Sequence, residues 1–247
     1  MKTTSTSRRN MDEILPIFPL GLVLLPGEPE QLRIFEPRYK QMLDDCVLDD
    51  RPFGICLMDE ASDHPEEILK GWSAPRRIGC EARIIAHQES GTNHLIAVEG
   101  GRRFRIDRLL PPALPPSDDG EIFSDLEGML MSIPEGEDDR LYLRAEVTWI
   151  EDLDVPSTGT LAQLKDGLHG HLTSIGDRLG MDADLVERWV EERLIEVFVE
   201  ASLTLPLCAR MTLLDVEERY AYLERNDVEE AARLVLDSMD QFLDSRL

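Results

Sequence analysis

At about residue 160 the spacing of apolar residues changes from alternation to helical periodicity and does not change back. Few features constrain a fold as firmly, because a strand buries every second residue while a helix buries positions three and four apart. Upstream, Leu143, Ala145, Val147 and Trp149 share one parity, as do Phe104 and Ile106. Downstream, Leu185, Val186, Trp189, Val190, Leu194, Val197 and Phe198 form one broad stripe after Asp182, and Gly180 marks the stop of the helix before it. The fold class expected is therefore α+β. A β-rich domain over 13–152 precedes a helical bundle of three or four helices over 153–247, joined through EDLDVPSTG at 151–159. Residues 1–12 lack periodic apolar positions and read as a mobile tail.

Within the first region, Pro16, Pro19 and Pro26 exclude a helix from ILPIFPLGLVLLPG, so Leu15 to Leu25 is extended and Pro26-Gly27 turns. Leu32 to Phe35 makes a second strand. Tyr39, Met42, Leu43, Cys46 and Val47 then fall on one helical face, which predicts a helix over 37–48 with Pro37 in its first turn. Strands follow at Phe53–Met58, Ile78–Ala86, His94–Val98 and Arg102–Arg108, with Glu99-Gly100-Gly101 as a turn, and strand character returns over Leu141–Ile150. Between the last two, residues 109–140 form an insertion punctuated by Pro111, Pro112, Pro115, Pro116 and Pro134. Inside it Ile122, Phe123, Leu126, Met129 and Leu130 recur at helical spacing, so a short amphipathic helix docks there. Phe123, Leu126, Met129 and Leu130 are the candidate partner-binding ridge; packing over a sheet edge is the competing role. In the helical region Asp215 with Glu218, and Asp227 with Glu230, have the spacing of N-caps.

Charge narrows the partners. The 247 residues carry a net charge of −24, with 15 basic and 18 acidic residues up to 110 and 11 and 32 beyond it. Such a chain repels polyanions, so neither nucleic acid nor an anionic membrane surface is an expected partner. Arg102, Arg103, Arg105 and Arg108 cluster, but a half-buried strand needs a solvated face and these residues supply one. The four cysteines, Cys46, Cys56, Cys80 and Cys208, contain no CxxC pair and read as reduced thiols of a cytoplasmic protein, with Cys46 a small core residue. Asp12, Glu13 and the prolines argue against a secretory signal, and no apolar run has the length of a membrane helix. His169 and His171 form an HxH pair whose side chains diverge on a helix, so no metal site is assigned. No Gly-Lys-Ser/Thr and no GxSxG occurs, and the only lysines are Lys2, Lys40, Lys70 and Lys165. No catalytic residue or cofactor is assigned.

LPIFPL (15–20), LLPGE (24–28), LRIFEPRYKQML (32–43), FGICL (53–57), IGCEARI (78–84), VEGGRRFRI (98–106) and LRAEV (143–147) resemble, in order, the N-terminal substrate-binding domain of Lon protease. The helical part is similar too, through Leu205-Pro206-Leu207 and LLDVEERYAYL (213–223), where that family closes its helical subdomain. The resemblance spans about residues 14–224. It implies a barrel-like β domain of PUA-like type followed by helices, and a non-enzymatic role: gripping unfolded or extended polypeptide, or serving as an adaptor to a partner protein. The sequences that carry Lon's ATPase and Ser-Lys protease chemistry have no counterpart here. Two other functions compete, RNA binding on a PUA-like fold and a small-molecule enzyme with its pocket between the two regions. Oligomeric state is left open.

Overall fold

The structure, a computed structural model, describes residues 13–59, 74–114, 126–131, 133 and 138–245. The expected tail at 1–12 lies outside them, as does Phe123. The chain forms two compact units. One joins the residues up to Leu24 with Pro29–Ile150, and the other joins Leu25–Glu28 with the residues from Glu151 on.

The first unit is built on β1 (Glu13–Leu20), β2 (Pro29–Ile34), β3 (Phe53–Asp59), β4 (Ala74–Ser90), β5 (Asn93–Leu110) and β6 (Arg144–Trp149), with helices α1 (Pro37–Leu48) and α2 (Leu126–Met131). The six strands run in the order β2-β5-β4-β3-β1-β6, and β6 pairs back onto β5, closing a ring. Among the described residues only β1 and β3 pair in parallel; the other ladders are antiparallel. Leu15, Ile17, Cys56, Phe104, Ile106, Leu109, Leu143, Ala145 and Val147 fill the core cluster of the sheet, as alternation along each strand requires. Phe104 is fully buried, and a Cβ added at Gly54 or Gly79 would come within 2.5 Å of its ring. Glycine is what lets two adjacent strands approach that aromatic side chain.

Glu99-Gly100-Gly101 is not the turn its composition predicted. β5 runs straight through it, pairing with β2 over 94–99 and with β6 over 104–110. A strand that changes partner along one edge has to bend, and the β4–β5 register shifts at this point, between Cys80 and Ala82. The actual hairpin turn is Gly91-Thr92, with Gly91 at φ 62° between Ser90 and its partner Asn93.

α1 has the predicted limits and buries Met42, Leu43 and Cys46. Phe18 packs on Tyr39, ring centroids 4.3 Å apart, and on Phe53 at 6.1 Å. Gln41 clamps α1 to the chain entering β6: its amide donates to the Asp139 carbonyl at 2.9 Å, and its oxygen accepts from the Leu141 amide at 2.7 Å. Tyr142 adds a bond from its hydroxyl to Asp45 at 2.6 Å.

The second unit holds five helices among the described residues, one more than the upper expectation: α3 (Thr158–Arg178), α4 (Ala183–Val197), α5 (Ala201–Thr212), α6 (Val216–Glu224) and α7 (Val228–Asp244). The extra break, Phe198-Val199-Glu200, has no glycine or proline to mark it. Pro206 lies inside α5 instead of ending it; the carbonyl left without a helical donor belongs to exposed Ser202. The predicted caps form, Asp215 accepting from the Glu217 and Glu218 amides and Asp227 from those of Glu229 and Glu230. Gly180 follows α3 at φ 67°. Leu25–Glu28 is held in this unit by Glu28, which pairs with Arg219, and by Arg210, which donates to the Gly27 carbonyl at 3.2 Å. No helix of the described residues is long and apolar enough to cross a membrane.

Candidate functional site

The ring leaves two strand edges open among the described residues. β2 pairs only with β5, and β4 pairs with β5 as far as Ser90 but with β3 only as far as Ala82. The second half of β4 thus runs on past the end of its neighbour. Beside it lies an open groove of about 640 Å3, walled on one side by the end of α1 and the chain entering β3 (Cys46, Val47, Asp50, Arg51, Pro52), on the other by β4 from Glu81 to His87.

Local sequence explains each wall. α1 ends in a Schellman motif: the Arg51 amide donates to the Cys46 carbonyl at 3.0 Å and the Asp50 amide to Val47 at 3.4 Å. Asp50 therefore takes the left-handed position, φ 49°, that glycine usually fills. On the opposite wall the β4–β5 register shifts between Ile84 and Ala86, leaving Ile85 as the extra residue of a bulge and 58% exposed. Val47 across the groove is 47% exposed.

Most charges of the site are already compensated. Arg83 pairs with Glu99 at 3.2 Å, Arg51 with Asp49 at 3.6 Å, and buried Glu81 accepts from the Arg102 amide at 3.0 Å and from its guanidinium at 3.4 Å. Arg102 in turn stacks over Trp149, 3.8 Å from the ring centroid. Asp50 has no ion pair among the described residues. His87 and His94, on neighbouring strands, are joined by a ring-nitrogen hydrogen bond of 2.9 Å. Cys46 is no nucleophile, because burial pushes its thiol up to about 12, out of reach of the thiolate form at neutral pH. Among the described residues no group of three or more His, Cys, Asp or Glu is placed to hold a metal ion.

Of the ridge expected in the insertion, Met129 is buried, Leu130 is half-buried, and α2 lies against α1. Leu126 opens that helix, and Phe123 is outside the described residues. His169 is exposed while His171 is buried in α3, so the HxH pair does diverge. The arginine strand differs in one respect from its expected pattern. Arg103 is 3% exposed and so does not lie on a solvated face, while Arg105 pairs with Asp107 and Arg108 with Glu146. The groove is not visible in the sequence, where Ile84 and Ile85 belong to an expected strand over Ile78–Ala86 like any other. Its one signal was the length of apolar and neutral chain after Arg83, longer than the neighbouring Phe53–Met58 segment could cover.

A closed mixed sheet, in which the second half of β4 is unpaired on one side among the described residues, followed by capped helices, defines an α+β fold. The chain matches the model of the ATP-dependent protease La (LON) substrate-binding domain over residues 14–241, and it belongs to that family. Two solved structures share the fold. A Lon N-terminal domain protein from Xanthomonas campestris is 23% identical, covering 94% of this chain and 98% of that one at a TM-score of 0.50. The N-terminal domain of the Mycobacterium avium complex Lon protease is 16% identical, covering 92% and 98% at a TM-score of 0.59. No curated protein sequence matches the chain.

Proposed function

We propose that this chain is a non-catalytic module of PUA-like type that binds unfolded or extended polypeptide, or docks a partner protein through such a segment, in a reducing, cytoplasmic setting. The observation that carries the reading is the groove beside the open half of β4, which combines exposed apolar side chains with strand-edge main chain. Family membership supports it, since the family is named for substrate binding. Free, buried Cys46, Cys56, Cys80 and Cys208 fit the reducing setting. Of the residues expected in the ridge of the insertion, half-buried Leu130 adds an accessory contact, whereas buried Met129 is closed to a ligand. Titration of the full chain with a reduced, permanently unfolded model protein tests the reading. Saturable binding in the range of tens of micromolar is expected, because each contact in such a groove is weak. Absence of binding at several hundred micromolar would sink it.

A further inference from the structure

We propose that the groove takes its polypeptide as an added β-strand along residues 84–88 of β4, with a lysine or arginine side chain of the added segment set at Asp50. This deepens the polypeptide-binding reading and rests on it.

The first ground is the edge itself. Residues 83–90 of β4 pair with β5 on one side and, among the described residues, with no strand on the other. Half of the main-chain N–H and C=O groups along such an edge point outward, and the ligand that matches alternating donors and acceptors is an extended backbone. The second ground is the uncharged centre of the edge. Natural sheets blunt free edges with charge or proline. The edge of β2 follows that rule with Pro29, Glu30 and Arg33, whereas the free edge of β4 carries its charges only at its ends, Arg83 and Glu89, and reads Ile-Ile-Ala-His-Gln from 84 to 88 between them. The bulge there turns Ile85 outward into the groove, opposite Val47, where an incoming apolar side chain has both to pack on.

The third ground fixes the charge of the occupant. Asp50 occupies a left-handed position in which glycine would cost less, it lines the groove, and the neighbouring charges are compensated by Asp49, Glu99 and Arg102. A cation is the complement.

Fluorescence anisotropy with the full chain tests both parts. The probes are acetylated nonapeptides of alternating valine and serine with lysine, norleucine or glutamate at the centre, and two copies of the lysine peptide N-methylated at even or at odd positions. An added strand presents only every second N–H to β4, so one methylated copy should lose about tenfold in affinity and the other less than twofold. Lysine should be preferred to norleucine about fivefold, and Asp50→Asn should erase that preference. Arg33→Glu, on the other edge, should change nothing. Equal binding of both methylated copies, with the unfolded model protein still binding, would overturn strand addition and leave the broader reading standing. Failure of the model protein itself to bind would remove both. A concentration-dependent dimer in light scattering, dissolved by Ile85→Lys, would give the edge to a second copy of this chain and overturn the proposal.

Discussion

Phe104 reaches the middle of the ring because Gly54 and Gly79 leave it room, so the sheet's stability is exposed at single atoms. A methyl group at Gly79 would sit 2.5 Å from the Phe104 ring, 2.6 Å from Cys56 Sγ and 2.8 Å from the Ile55 carbonyl oxygen. Two of these neighbours are core side chains and the third is backbone, so nothing can swing away. Gly79→Ala should cost about 1–3 kcal/mol, read as a lower urea midpoint at unchanged slope. Gln41 is a second such point. Truncating it to alanine leaves the buried Leu141 amide without its 2.7 Å acceptor, and a loss of about 1–3 kcal/mol is expected in the same measurement. Asp50 should behave in the opposite sense. Asp50→Gly relieves a left-handed aspartate and should stabilise the chain by roughly 0.5–1 kcal/mol while it weakens a cationic ligand. A residue whose replacement improves folding and impairs binding is the mark of a position kept for its ligand.

Helices and strands differed in how well the sequence announced them, and the reason is where each one's determinants sit. α1 was legible to the residue because its start carries Pro37 and its buried face recurs in Met42, Leu43 and Cys46, all within twelve residues. Asp215 and Asp227 were legible as caps for the same local reason. The continuity of β5 was not, because Gly100 and Gly101 look like a turn unless one knows that Glu81, twenty residues before Gly101, has to fit against that glycine. The groove depends on the mismatch in length between β3 and β4, a property of pairing that periodicity does not record. α3 carries a device that the HxH pattern only hinted at. His171 is 1% exposed, its Nδ1 has no hydrogen-bond partner among the described residues, and its ring lies 4.3 Å from that of Phe242. Burial lowers its pKa, and Arg178, whose guanidinium covers the same Phe242 ring, lowers it further. With the folded pKa below the unfolded value of about 6.5, the unfolded chain takes up a proton first as pH falls. The helical unit should therefore be most stable above that value and lose stability from there down to the folded pKa. Urea midpoints at pH 7.5 and 5.5 should show the loss, and His171→Phe should shrink it. An unchanged difference in the variant would move the effect elsewhere.

For the molecule as a whole, charge weighs against one binding class that the fold alone leaves open. A β ring with four arginines on one strand is a reasonable platform for RNA until the partners of those arginines are counted. Arg102 is held by Glu81, Arg105 by Asp107 and Arg108 by Glu146, and Arg103 is buried. A phosphate would have to displace a carboxylate at each of the three pairs, on a chain whose net charge of −24 already repels it. Counterion release, the main source of nonspecific affinity for nucleic acid, has little to draw on here. Filter binding with single-stranded RNA should show no retention at about 0.15 M salt, and none that grows as the salt is lowered to about 0.05 M. Affinity rising steeply over that range would mean that the arginines exchange carboxylates for phosphates and would reopen the RNA reading. The same field attracts any polycation without selectivity, and since screening acts within about 8 Å at physiological ionic strength, the lysine preference assigned to Asp50 has to persist there. A preference that vanishes between 0.05 and 0.15 M salt belongs to the −24 charges at large, whereas one that survives, and that Asp50→Asn alone removes, belongs to the groove.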